Sequence, residues 1–145
     1  MLPYKSVLAV DDDPAALSIY RAYFGSLGVQ RYLEATSGMH ALQVMRQAEE
    51  PVDLIQIDVY MPEMDGIELL RELHLMDFAG AVVIASGARP FDRSSAINLA
   101  STYQFNILGE VKKPLTRARL DAVYRPDASI GGNTPYHPAA SPAAS

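Results

Sequence analysis

The chain has 145 residues, enough for one domain, and 49% of them are hydrophobic, enough to fill a core. A net charge of −5 without a basic run offers nothing to nucleic acid or to an anionic membrane. There is no cysteine, which excludes disulfides and thiol chemistry. No apolar run reaches the ~18 residues of a membrane span, and Met1-Leu2-Pro3-Tyr4-Lys5 lacks a signal-peptide pattern, so a cytoplasmic location is expected.

Strand and helix patterns alternate along the chain. Ser6–Val10 reads as a buried strand ending in Asp11-Asp12-Asp13. Asp13-Pro14 supplies an N-cap and a proline at the first helical position. Leu17, Tyr20, Phe24 and Leu27 then recur at helical spacing until Gly28. Val29–Ala35 reads as a second strand. Thr36 or Ser37 can cap a helix with Ala41, Leu42, Val44 and Met45 on its apolar face. A third strand, Val52–Ile57, leads into Asp58, where Pro62 biases Met61 away from helical angles and Asp65-Gly66 marks a turn. Ile67, Leu69, Leu70 and Leu73 mark an amphipathic helix near 65–76, and Ala81–Ala85 a fourth strand ending in Ser86-Gly87. A weaker helical pattern covers Asp92–Tyr103. Ile107–Val111 is a fifth strand, interrupted by Gly109 and followed by Lys112-Lys113-Pro114, and Thr116 caps a last helix with Leu120 and Val123. From Arg125 to Ser145 the composition turns to Pro, Ala, Ser and Gly without apolar period. A domain over 1–124 and a disordered tail or linker over 125–145 are therefore expected.

Strands separated by helices imply right-handed βαβ units and a parallel sheet. In such a sheet the strand tips share one edge, where open α/β sheets bind ligands. Acids, a hydroxyl and an ammonium then gather around Asp58. Asp13 is accounted for as a helix cap. Asp11 and Asp12 beside Asp58 would crowd negative charge, which a divalent cation in an oxygen shell relieves.

An acidic pair after the first strand, Asp58 after the third, Ser86 after the fourth and Lys113-Pro114 after the fifth resemble the receiver domain of two-component response regulators. The resemblance covers residues 4 to about 124. It implies a flavodoxin-like, doubly wound five-stranded sheet of order 2-1-3-4-5. It implies Asp58 as the phosphoacceptor, with Lys113 and Ser86 contacting the phosphoryl group. Mg²⁺ would be held by Asp12 and Asp58, by Asp11 through water, and by the backbone carbonyl of Tyr60. A cis bond is expected at Lys113–Pro114, and Lys112 should face solvent. The module would signal rather than turn over a substrate. Many receivers carry an aromatic three residues before the lysine. Here that position is Glu110, with Tyr103 and Phe105 as the nearest replacements.

A histidine kinase or phosphotransfer protein is the implied donor, docking near Ala15, Leu17 and Ile19. A homodimer would use the face of the helix predicted over 92–103, the fifth strand and the last helix. The stretch Phe105–Leu115 also resembles receivers joined to an EAL-type cyclic-di-GMP phosphodiesterase, so an output domain of that type is a candidate in a longer parent. Two alternatives compete: a haloacid-dehalogenase-like phosphatase using Asp11 and Asp13, and a receiver that works without phosphorylation.

Overall fold

The computed structural model describes residues 2–61, 63–87, 98 and 102–126. Most of the helix predicted over 92–103, and the predicted tail beyond Pro126, lie outside the described residues. The strands are β1 (Ser6–Val10), β2 (Arg31–Ala35), β3 (Leu54–Asp58), β4 (Ala81–Ser86) and β5 (Asn106–Lys112). The helices among the described residues are α1 (Pro14–Ser26), α2 (Gly38–Gln47), α3 (Gly66–Leu75) and α4 (Arg117–Tyr124). All strand pairs are parallel, in the order β2-β1-β3-β4-β5, as the resemblance implied.

Alternate residues of the central strands feed opposite cores. Leu8, Val10, Ile55, Ile57, Val82 and Ile84 pack under α2 and α3 with Leu42, Leu69, Leu70 and Leu73. Val7, Ala9, Leu54, Ala81 and Val83 pack under α1 and α4 with Leu17, Tyr20, Phe24, Leu120 and Tyr124. With both faces covered, the middle strands are buried at every position, which is why they read as unbroken apolar runs.

Caps fix where each helix begins. The side chains of Asp13, Ser37, Asp65 and Thr116 accept from Ala15, His40, Glu68 and Arg119 N–H respectively. Two strands start later than their sequence pattern suggests. Val29 N–H bonds back to Phe24 O and closes α1 with Gly28 at φ +74°, so the β2 ladder begins at Arg31. The Asp53 carboxylate accepts from Lys5 and Ser6 N–H at 3.1 and 2.9 Å, so Asp53 fastens the start of β1 instead of extending β3. Between β4 and β5 the register shifts. Val82 pairs with Ile107 and Val83 with Gly109, leaving Leu108 as the extra residue of a bulge.

Candidate functional site

β3 ends on Asp58, and two contacts hold the chain beyond it. Val59 N–H donates to Ala85 O at 3.0 Å, and Val59 O accepts from Gly66 N–H at 2.9 Å. The second contact folds the loop back so closely that a Cβ on Gly66 would lie 2.7 Å from Asp58 O and 2.9 Å from Val59 Cα. Glycine at 66 is thus required by close approach of backbone, not only by the turn that Asp65-Gly66 signals in sequence. On the opposite side, Met64 lies against Gly38 at the start of α2, so α2 buttresses the same loop.

The carboxylate of Asp58 is nearly fully buried. Its Oδ1 accepts from Tyr60 N–H at 3.2 Å, and its Oδ2 faces Lys113 Nζ at 3.3 Å. Asp11 is fully buried. Its Oδ1 accepts from Asp13 N–H at 2.9 Å and its Oδ2 lies 2.8 Å from Lys113 Nζ. Asp12 is exposed, yet one carboxylate oxygen from each of Asp11, Asp12 and Asp58 falls within 4.8 Å of the others. Lys113 follows β5, where its N–H donates to Ser86 O at 2.8 Å and the Lys113–Pro114 bond is cis. Lys112 is exposed.

One ammonium does not neutralise this set. Burial, and then the neighbouring Asp11 charge, push the Asp58 carboxyl up from 3.8 to about 7, against the pull of Lys113. Asp11 is likewise raised, by burial first, although Lys113 and the Asp13 N–H oppose this. Burial works to lower Lys113, but its bond to Asp11 and the charges of Asp58 and Asp11 outweigh it, so the ammonium is held. The donor set is all oxygen, without histidine or cysteine, and carries uncompensated negative charge. It suits a hard divalent cation such as Mg²⁺. Beside it, Ser86 Oγ is fully buried and has no hydrogen-bond partner. An orphaned buried hydroxyl is costly, and an incoming anionic oxygen would satisfy it.

Asp11, Asp12, Asp58 and Lys113 are thus brought together, with Ser86 tied to Lys113 through the backbone. Lys113 lies closer to Asp11 than to Asp58. The geometry differs from the sequence-based expectations at one point, the place of Leu17. Leu17, expected at a docking surface, is buried in the core beneath α1, because its helical phase matches Tyr20 and Phe24; Ala15 and Ile19 are exposed. Tyr103 and Phe105, the nearest replacements for the missing aromatic, make ring contacts at the far end of α3. Tyr103 stacks on His74 at 4.4 Å, and Phe105 meets Phe78 edge-on at 6.1 Å, at the end of α3. Glu110 itself pairs with Ile84 and has one carboxylate oxygen buried. A phosphatase built on Asp11 and Asp13 is not favoured, because Asp13 Oδ1 is used as the α1 cap on Ala15 N–H at 3.0 Å. Among the described residues, no helix is long and apolar enough to cross a membrane.

The response regulator receiver domain family matches residues 7–125. The chain belongs to that family. Receivers are phosphoacceptor modules of two-component signalling, modified on an aspartate. MalR, a transcriptional regulatory protein of Bacillus subtilis, is 36% identical over 88 residues, which cover 60% of this chain and 37% of MalR. RocR, a cyclic di-GMP phosphodiesterase of Pseudomonas aeruginosa, is 28% identical over 123 residues, or 81% of this chain and 30% of RocR. The chain spans under half the length of such curated relatives. The signal receiver domain of an HD-domain-containing protein from Pseudomonas fluorescens Pf-5 superposes with a TM-score of 0.69 at 23% identity, covering 83% of this chain and 90% of that one. A CheY-like receiver from Methanospirillum hungatei gives 0.66 at 23% identity, covering 81% and 87%. At these identities the structural likeness concerns the fold.

Proposed function

We propose that this receiver takes its phosphoryl group on Asp58, with Lys113 and Ser86 as the side chains that contact it, and that Mg²⁺ is held by Asp12, Asp58 and the Tyr60 carbonyl, and by Asp11 through water. The observation that carries the reading is the gathering of three acids and one ammonium around a single strand tip, with an orphaned hydroxyl at the end of the neighbouring strand β4.

The nucleophile is an Asp58 carboxylate oxygen. It attacks phosphorus of a phosphohistidine, the new O–P bond forms as the N–P bond breaks, and the electron pair leaves with the imidazole, which takes up a proton. Such transfers need little covalent help from the protein; they need positioning and neutralised charge. Tyr60 N–H fixes one oxygen of Asp58 and leaves the other facing Lys113. Bound Mg²⁺ would supply charge neutralisation to the carboxylates and the phosphoryl oxygens. Lys113, a point charge whose protonated form Asp11 and Asp58 favour, supplies the remainder. After transfer, Ser86 Oγ gains the acceptor it lacks, which draws the β4 tip toward the modified residue. This is a population shift driven by added charge and acceptors. Glu110 in the aromatic's usual place means that the movement is relayed differently from receivers that rotate a ring inward.

The proposed boundaries are a receiver over 1–124 and a tail or linker over 125–145. The donor, a histidine kinase or phosphotransfer protein, would dock on the exposed positions of α1, Ala15 and Ile19. For output, the Phe105–Leu115 resemblance and the name of RocR favour a C-terminal EAL-type domain in a longer parent. Intact mass after incubation with Mg²⁺ and acetyl phosphate tests the central claim. One phosphoryl group should be gained, and none after Asp58→Asn; a gain that survives in that variant rejects it.

A further inference from the structure

Gln56 is out of place by composition. It lies in the middle of β3, fully buried, among Leu54, Ile55 and Ile57. The other fully or nearly buried polar side chains among the described residues are at strand ends or tips: Ser6, Asp11, Asp58 and Ser86. An amide buried without partners costs on the order of 1–3 kcal/mol, so its partners are informative. Its Oε1 accepts from Tyr124 Oη at 2.5 Å, and its Nε2 reaches Val83 O only at 3.5 Å, the limit of a hydrogen bond. Tyr124 is the last residue of α4, where the chain leaves the described domain. Gln56 precedes Asp58 by two residues, so both belong to the same side of β3. One strand therefore carries the phosphoacceptor at its tip and, two residues back, the fastening of the final helix.

A third group completes the line. Tyr20 on α1 is fully buried, and its Oη has no partner. It packs against Phe24, which meets Tyr124 edge-on at 5.1 Å. Burial raises the Tyr20 phenol, with the Asp11 and Asp58 charges adding to the effect; Tyr124 is raised by burial, with Tyr20 as the next contributor. This core thus holds one short polar contact, one at the limit of a hydrogen bond and one hydroxyl without a partner. An apolar pair would have packed α4 without any buried polar contact to satisfy.

We propose that Gln56 and Tyr124 are positioning residues that couple the state of Asp58 to the seating of the end of α4, a route through the α1/α4 face of the sheet. The inference rests on Asp58 being the phosphoacceptor. It gives this receiver, with Glu110 where a ring is usual, a path from the pocket to the point where the C-terminal segment begins.

The test is amide hydrogen exchange on the full chain, with and without Mg²⁺ and beryllofluoride, which forms an acyl-phosphate mimic on the acceptor carboxylate. In the unaltered chain, adduct formation should change exchange at Val123, Tyr124 and Arg125 by roughly fivefold or more. In the double variant Gln56→Leu/Tyr124→Phe, which removes both polar partners and strands neither, Gly87 and Lys113 should still respond while 123–125 should not. Tyr124→Phe alone, which deletes the hydroxyl and leaves Gln56 Oε1 without its donor, provides a second variant should the double one fail to fold. A structural fastening alone would change basal exchange but leave the adduct-dependent difference intact. An equal response at 123–125 in the variants overturns the inference, as does an unaltered chain that forms the adduct without responding there. Failure of the unaltered chain to form any adduct overturns the Asp58 reading together with this one.

Discussion

Replacing Asp58 by asparagine should stabilise the metal-free domain at pH 8 and leave it unchanged near pH 3.5. The fold raises this carboxyl from 3.8 to about 7, through burial and then the Asp11 charge. Between those two values the unfolded chain has released its proton and the folded chain has kept it. The folded state therefore loses ground as pH rises through the window. Below about 3.8 the penalty is absent; above about 7 it is complete. At 1.36 kcal/mol per pH unit the displacement corresponds to about 4 kcal/mol as an upper bound. Lys113 loses one of its two acids in the variant, and the amide needs partners of its own, so the net gain should be roughly 1–3 kcal/mol. At about 4 °C per kcal/mol that is a rise of roughly 4–12 °C in Tm at pH 8. Melts followed by far-UV circular dichroism in EDTA, from pH 3.5 to 8, measure it. Parallel pH profiles for the two proteins, or a variant less stable at pH 8, would refute the charge-crowding argument.

Mg²⁺ at a hundred times its Kd should stabilise the unaltered chain by about 2.7 kcal/mol, a gain that Asp12→Asn sharply reduces in the same melts. Lys113→Ala should slow phosphorylation by acetyl phosphate roughly 10–100-fold by intact mass, and should also lower Tm because buried Asp11 loses its counter-ion. Gly66→Ala should cost about 1–3 kcal/mol in a urea titration, since the added carbon meets backbone atoms that cannot step aside.

The pocket was legible because its parts lie where strands stop, and strand ends carry strong local marks: an acid run, a proline, a glycine. Caps at Asp13, Ser37 and Thr116 were legible for the same reason, since a cap is a bond between near neighbours in sequence. What escaped was set by partners far along the chain. Leu17 falls in phase with Tyr20 and Phe24, and only the packing of α1 on the sheet decides which flank of that stripe is covered. Gln56 gave no local signal that Tyr124 would meet it. Gly66 read as a turn residue, whereas its deeper requirement comes from the backbone of Asp58. The preference of Lys113 for Asp11 over Asp58 depends on a few tenths of an ångström, which no spacing in the sequence encodes.

The bulge at Leu108 and Gly109 has a consequence for assembly. β5 is an outer strand, and an outer strand that ran straight would present a regular row of backbone donors and acceptors to any neighbouring molecule. Here the rhythm of that row is broken halfway, and a bulge sharpens the local twist. Along this edge a second copy therefore finds no continuous rail on which to lay its own sheet. At β5 the bulge thus works against strand addition, the road to fibres, and leaves side chains as the means of contact on that flank.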